Sequence, residues 1–357
     1  GPGVDRSGDA LKHGNAYGST PKGGVLVVAG DDHGCVSSSM SHQSDQAFQA
    51  WSMPIVNPSN IGEYSRFGLY GWALSRFSGT WVGFKAISES VESAASVKLD
   101  DAPTFKEPDF EAPATGLHYR WPDYPGPQIE QRLQAKMDAV RAFAKVNSID
   151  AMLVDPEQAQ AAIITSGKAH DDLVEALRIL GLTTEDLERE GLRLYKIGLS
   201  FPLEPTRLRH ILRGVQSVLI IEEKGPVVEA QIKELLFNDE ERPKLWGKTD
   251  PQGNPFIEGV LELRPSRLMN PVLKWFEAAS PNTPLKKPEC FKAQAFDAGG
   301  ADSLRRMPYF CSGCPHNTST KVPEGSRSLA GIGCHFMANW MERDTEGLTQ
   351  MGGEGVD

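Results

Sequence analysis

The sequence predicts an α/β protein made of doubly wound parallel-sheet domains. Two observations carry this. Short apolar runs bounded by glycine, Gly24-Val-Leu-Val-Val-Ala-Gly30 and Ala161-Ala-Ile-Ile-Thr-Ser-Gly167, have the pattern of strands buried on both faces. They alternate with amphipathic segments of helical length, and strand-helix-strand repetition builds a parallel sheet with helices on its faces.

Asp31-Asp32-His33-Gly34-Cys35 follows the first run directly, so these polar residues sit at the carboxyl end of a strand, the edge where open parallel sheets bind ligands. The stretch from Ser37 to Trp51 begins polar and turns amphipathic, as a loop entering a helix does. Pro54-Ile-Val-Asn-Pro58 reads as a second strand, Ser59 or Asn60 as the cap of a helix running to about Ser78, and Trp81 to Ile87 as a third strand. From Leu99 to Pro127 the chain is rich in proline, acid and aromatics without periodicity, an ordered linker rather than a free tether. Ile129, Leu133, Met137, Val140 and Phe143 then mark a helix between Pro127 and Asn147. A second α/β unit runs from Ala161 to Phe237, with a helix over Asp171 to Leu180 stopped by Gly181, strands at Leu192 to Leu199 and Val215 to Ile221, and a helix after Gly225. Glu222 and Glu223 end its last strand; an acidic pair there reads as solvated or salt-bridged, not as an acid-base couple. Arg242 to Ala301 is again proline-rich and polar, with a short helix near Pro271 to Ala278.

At 357 residues the chain is long enough for two or three domains, and 39% hydrophobic with 24% charged residues is an ordinary globular balance. No run approaches the roughly 20 apolar residues that span a bilayer. The polar start, Gly1-Pro-Gly-Val-Asp-Arg6, has neither a signal peptide nor an initiator methionine, and both ends read as cuts through a longer protein. Five cysteines, three of them clustered, argue for a reducing, cytoplasmic compartment, with Cys35 and Cys290 as buried or partly buried thiols. A net charge of -10 disfavours nucleic acid or an anionic membrane as partner.

The stretch with the sharpest chemistry runs from Tyr309 to Met337. It carries Cys311-Ser-Gly-Cys314-Pro-His316 and, 20 residues after Cys314, Gly-Ile-Gly-Cys334-His335. A Cys-x-x-Cys turn presents two sulfurs to one point, and soft thiolates select iron-sulfur or zinc over magnesium or calcium. The spacing leaves open a cluster or a Cys3His zinc site, since the fourth ligand is His316, His335 or a cysteine elsewhere. Gln350-Met-Gly352-Gly353-Glu-Gly355 is a glycine run of the kind that lets backbone approach a phosphate.

Cys-Ser-Gly-Cys-Pro-His, Gly-Ile-Gly-Cys and Met-Gly-Gly-Glu-Gly together resemble the opening of the thiamine-diphosphate domain of 2-oxoacid:ferredoxin oxidoreductases, most closely the indolepyruvate:ferredoxin type in its long fused bacterial form. Lys22-Gly-Gly-Val-Leu-Val-Val-Ala-Gly-Asp-Asp-His-Gly34, Ser37-Ser38 and Met53-Pro-Ile-Val-Asn-Pro58 are similar to the second half of the pyrimidine-binding domain of the same enzymes. Ser-Gly-x-Ala-His, Gly-Leu-Ser-Phe-Pro-Leu and Val-Leu-Ile-Ile-Glu-Glu-Lys-Gly resemble the transketolase C-terminal-like domain of that family.

The resemblance implies five segments of a thiamine-diphosphate-enzyme fold incomplete at both ends. These are 1–98 (pyrimidine-binding), 99–158 (linker and helix), 159–240 (transketolase C-terminal-like), 241–304 (linker) and 305–357 (start of the diphosphate-binding domain). It implies oxidative decarboxylation of an aryl or branched 2-oxoacid to an acyl-coenzyme A, with electrons leaving through a 4Fe-4S cluster to ferredoxin, in an oligomer. Cys311, Cys314 and Cys334 match three cluster ligands. Cys334, His335, Gly352 and Gly353 would lie along thiamine diphosphate, and the Mg2+ ligands, the activating glutamate and the fourth cysteine would lie outside the chain, which alone is expected to be inactive. Where relatives carry an Asp-Ser-Arg setting this chain has Gln43-Ser44-Asp45. That departure leaves recognition of the substrate carboxylate open; His33 and His42 are the nearby groups able to hydrogen-bond a 2-oxoacid, and each also reads as an ordinary loop histidine. Two other readings are a non-catalytic module with a structural zinc site and a thiamine decarboxylase without the cluster.

Overall fold

The computed structural model describes residues 2–35, 40–98, 101–121, 123, 126–279, 308–331 and 334–348. The chain forms two compact units. The first takes in residues 1–34 and 41–289; the second takes in 35–40 and 290–357.

The first unit opens with α1 (Pro2–Arg6) and α2 (Gly8–Tyr17), then β1 (Leu26–Asp31), α3 (Asp45–Ala50), β2 (Ile55–Val56), α4 (Tyr64–Ser78), β3 (Val82–Ile87), α5 (Ser88–Val91) and α6 (Pro127–Val146). A single 3-10 turn, Ile61–Glu63, precedes α4, and the expected cap is there: Asn60 Oδ1 accepts from the Gly62 N–H at 3.0 Å. Pro127 begins α6, where its missing N–H would have had no helical partner.

The chain continues through β4 (Ala151–Val154), β5 (Ala161–Ser166), α7 (Lys168–Ile179), α8 (Thr184–Arg189), β6 (Leu192–Ile197), β7 (Leu199–Phe201), α9 (Pro205–Leu212), β8 (Ser217–Ile221), α10 (Val228–Leu236), β9 (Lys244–Trp246) and α11 (Pro265–Ala279). Two sheets result, in the orders β1-β3-β2-β7 and β4-β6-β5-β8-β9. Pairing is parallel except for β2 with β7 and β4 with β6.

Both sheets are covered on both faces, the doubly wound arrangement expected. On the first, Phe67, Tyr70 and Leu74 of α4 with Val140 and Phe143 of α6 pack on Val82 and Phe84, while Val4 and Phe48 pack on Ala29 and Ile55 from the other side. On the second, Leu173, Leu268 and Trp275 cover Ile163 and Leu219, and Leu208, Ile211 and Ile232 cover Ile164 and Ile220. Each such side chain contributes about 1.5–3 kcal/mol by leaving water.

The run Leu192 to Leu199 reads as one strand but is two, and they enter different sheets. Asp150 is the cause: its Oδ1 accepts the N–H groups of Gly198 and Leu199 at 2.8 and 3.2 Å, so the backbone turns there and delivers β7 to β2.

In the second unit, α12 (His316–Ser319) follows the Cys-x-x-Cys turn, β10 (Ser328–Ala330) pairs in parallel with β11 (Thr345–Leu348), and a 3-10 segment, Cys334–Trp340, lies between them in sequence. No helix among the described residues is long and apolar enough to cross a membrane.

Candidate functional site

The carboxyl ends of strands from both sheets of the first unit line one polar cavity, with about 20 Å³ open to the centre of a water. His33 follows β1, Asn57 follows β2, Lys85 and Ile87 close β3, Ser166 and Lys168 flank the end of β5, and Glu222 and Glu223 follow β8. Gly167 makes the approach possible. Its φ is 60°, and a Cβ there would fall 2.5 Å from the Asn57 side-chain oxygen.

Lys85 sits in a strand buried along its whole length, and its Nζ donates to Asp31 Oδ2 at 2.6 Å and Asp45 Oδ2 at 2.5 Å. Burial alone would strip its proton, but the two carboxylates outweigh it and raise its pKa above the usual lysine value. Burial likewise pushes Asp31 up, and Lys85 with the Ser44 hydroxyl and N–H more than reverses that, holding the carboxyl below the usual range.

Glu222 and Glu223 are salt-bridged or hydrogen-bonded but not solvated. Glu222 caps α10, accepting from the N–H groups of Val227, Val228 and Glu229 at 2.9–3.0 Å; burial pushes its pKa to about 7 against those bonds. Both oxygens of Glu223 accept from the Leu263 N–H, and Lys168 Nζ lies 3.5 Å away, itself donating to Asp172 at 2.6 Å. Burial raises Asp172 to about 6.

Of the two histidines expected to meet a 2-oxoacid, His33 lines this cavity and His42 does not. His33 is 3% exposed, its Nδ1 is 3.9 Å from Glu223 Oε2, and burial, then Lys85, lowers its pKa to about 3, so it is neutral. The cavity as it stands admits a water or two and not a whole 2-oxoacid. Sequence reasoning missed Lys85, Lys168 and Asp45. One signal was available: a lone lysine within Trp81-Val-Gly-Phe-Lys-Ala-Ile87 cannot be buried without acidic partners.

The thiols form a separate candidate within the second unit. Gly313, at φ 78°, shapes the Cys-x-x-Cys turn, closed by the Cys314 N–H donating to the Cys311 carbonyl at 3.0 Å. Cys314 Sγ is 3.3 Å from His316 Nδ1, and the His316 ring stacks on Phe310 and lies 6.1 Å from that of His335, the neighbour of Cys334. His335 Nδ1 accepts from the Gly331 N–H at 3.0 Å, which occupies that nitrogen. Cys311 and Cys334 are exposed and Cys314 partly buried. The donors fit a soft metal in kind, yet among the described residues no three His, Cys, Asp or Glu side chains are gathered closely enough to hold one ion. Gly352 and Gly353, expected along the thiamine cofactor, lie outside the described residues, as do Ser37, Ser38 and Cys290.

A family model described as the indolepyruvate oxidoreductase domain matches residues 151–284, which hold the whole second sheet and α11. Among curated proteins, the indolepyruvate oxidoreductase subunit IorA of Pyrococcus abyssi is 25% identical over 328 residues, covering 88% of this chain and 47% of its own length. That of Pyrococcus horikoshii is 24% identical over 334 residues, with the same two coverages. The Methanothermobacter thermautotrophicus subunit is 21% identical over 304 residues, 83% of this chain and 44% of its own. Among solved structures, a 2-oxoglutarate:ferredoxin oxidoreductase from Magnetococcus marinus aligns with a TM-score of 0.48 at 13% identity, covering 77% of this chain and 52% of that one. The chain spans about half the length of the curated relatives it matches. The resemblance read from the motifs holds: across most of its own length this chain is similar to the A subunits of indolepyruvate oxidoreductases.

Proposed function

We propose that this chain is part of a longer enzyme that oxidatively decarboxylates an aryl or branched 2-oxoacid, such as indolepyruvate, to an acyl-coenzyme A and passes the electrons to ferredoxin. The observation that carries the reading is the similarity to indolepyruvate oxidoreductase A subunits over 88% of the chain, joined to a Cys-x-x-Cys turn and a third thiol in one unit. Cys311, Cys314 and Cys334 are the residues that would hold a 4Fe-4S cluster, with a fourth cysteine beyond them. Thiamine diphosphate, when bound with Mg2+ along Cys334, His335, Gly352 and Gly353, supplies the carbanion chemistry of decarboxylation, and the cluster supplies one-electron transfer.

Within the first unit the Asp31-Lys85-Asp45 group ties the end of β1 to the start of α3. His42, with a buried Nδ1 that has no hydrogen-bond partner, is offered as a contact to the substrate's oxygens. His33, which lines the cavity, is offered as a second contact. The 3.3 Å contact between Cys314 and His316 favours one other reading, a Cys3His zinc site completed by His316.

The test is turnover by the full-length protein, purified without oxygen. Indolepyruvate should reduce a viologen dye only when thiamine diphosphate and coenzyme A are both present, and Cys334→Ser should abolish dye reduction. Decarboxylation that needs neither coenzyme A nor an electron acceptor would point instead to a simple thiamine decarboxylase, and no turnover with zinc bound would point to a structural module.

A further inference from the structure

His33 leaves the end of β1 with its ring 97% enclosed and neither nitrogen hydrogen-bonded. A neutral imidazole has one donor and one acceptor, and leaving either unmet in a protein interior costs about 1–3 kcal/mol. Buried groups of this kind in native proteins are met by ordered water when the site is polar and large enough. Both conditions hold. The cavity has about 20 Å³ open to a water centre, and Gln43, Asn57, Ser166, Ser200 and Glu223 place polar side chains in its wall.

The facing carboxylate is held on purpose-built backbone. Glu223 is followed by Lys224 at φ 55°, and Leu261 opposite it has φ 59°, both left-handed conformations that cost a non-glycine residue about 1–3 kcal/mol. Lys224 Nζ donates to the Leu261 carbonyl at 3.0 Å, joining the two strained positions, and two residues on the Leu263 N–H donates to both Glu223 oxygens. The result is a carboxylate fixed 3.9 Å from His33 Nδ1, too far for a direct hydrogen bond and close enough for one water to touch both.

We propose that this cavity is a built internal water site, and that its water, bonded to His33 and Glu223, ties the loop leaving β1 to the second sheet. The ligand is water because the volume admits nothing larger and because a neutral imidazole beside a carboxylate needs a partner that both donates and accepts. His33 is on this account a positioning residue for the residues that directly follow β1. His33 is also the second substrate contact offered above, but the water site rests on the cavity's own geometry and survives the failure of that reading.

A high-resolution crystal structure of the full chain at neutral pH tests it without any substitution. A water peak within about 3.2 Å of a His33 nitrogen and of a Glu223 oxygen is expected. A dry cavity, or a direct His33–Glu223 bond, would overturn the proposal. Two variants give an independent readout. His33→Phe fills the space and removes one of the water's two partners, so it should lower Tm by a few degrees and speed hydrogen exchange at the His42 N–H, which donates to the Asp32 carbonyl at 3.1 Å. His33→Gln, which keeps a donor and an acceptor, should restore much of both. If the imidazole were instead an unmet polar group, His33→Phe would raise Tm and leave the exchange of that amide unchanged.

Discussion

A lysine in the middle of a fully buried strand decides the electrostatics of the first sheet. Lys85 is tolerated there because Asp31 and Asp45 meet its ammonium from two elements, one at the end of β1 and one at the start of α3. Removing it strands two buried carboxylates, so Lys85→Met should destabilise the first unit by about 3–5 kcal/mol, read from chemical denaturation. The pH dependence has a definite sign. His33 binds its proton near 6.5 when unfolded and near 3 when folded, so below pH 6.5 the unfolded chain takes up a proton the native one refuses. This group's contribution should therefore fall as pH drops from about 6.5 towards 3, by about 1.4 kcal/mol per pH unit, against the opposite contributions of the raised acids Glu222 and Asp172, and His33→Gln should remove it. Asp31, held below its usual range, adds a further loss below about pH 4. These residues were only partly legible in the sequence. The Asp-Asp-His run could be placed at a strand's carboxyl end, but its partners Lys85, Lys168 and Glu223 come from distant segments, and proximity of that kind leaves no local pattern.

Elements whose ends are chemically marked were the legible ones. Asn60, Gly181 and Pro127 each sit where capping, stopping and helix-start rules put them. α8 carries such a mark too, although the sequence reading assigned no helix there: the Thr183 hydroxyl accepts from the Asp186 N–H at 3.2 Å while the Asp186 carboxylate accepts from the Thr183 N–H at 2.9 Å. Thr183→Ala should cost about 1 kcal/mol, measurable in denaturant midpoint. β6 and β7 were illegible as separate strands, because Ile197-Gly-Leu-Ser-Phe201 has no proline or turn pair to signal the break. The interruption is imposed by Asp150, 48 residues before Gly198 in the chain. Glu222 illustrates the converse. An acidic pair at a strand end invites a catalytic role, and the structure spends one member on three helix N–H groups, the N-terminal anion site that any carboxylate there would fill.

At the scale of the whole molecule, two doubly wound sheets sharing a polar seam, and a thiol-bearing second unit, are joined to sequence similarity with proteins about twice as long. The alternation of strand and helix was readable because buried parallel strands are written as unbroken apolar runs. What sequence pattern could not deliver is whether the three thiols meet, since Cys334 comes 20 positions after Cys314 with α12 and β10 between them, and metal ligands that far apart are brought together by an ion as much as by a fold. We propose that Cys311, Cys314 and Cys334 belong to an electron-carrying centre of a 2-oxoacid oxidoreductase. The visible absorption spectrum of the full-length protein, purified without oxygen and recorded before and after indolepyruvate with coenzyme A, tests it most directly. A broad brown absorbance that bleaches when the substrate is added is the predicted result. A colourless protein carrying zinc, unchanged by the substrate, would contradict it.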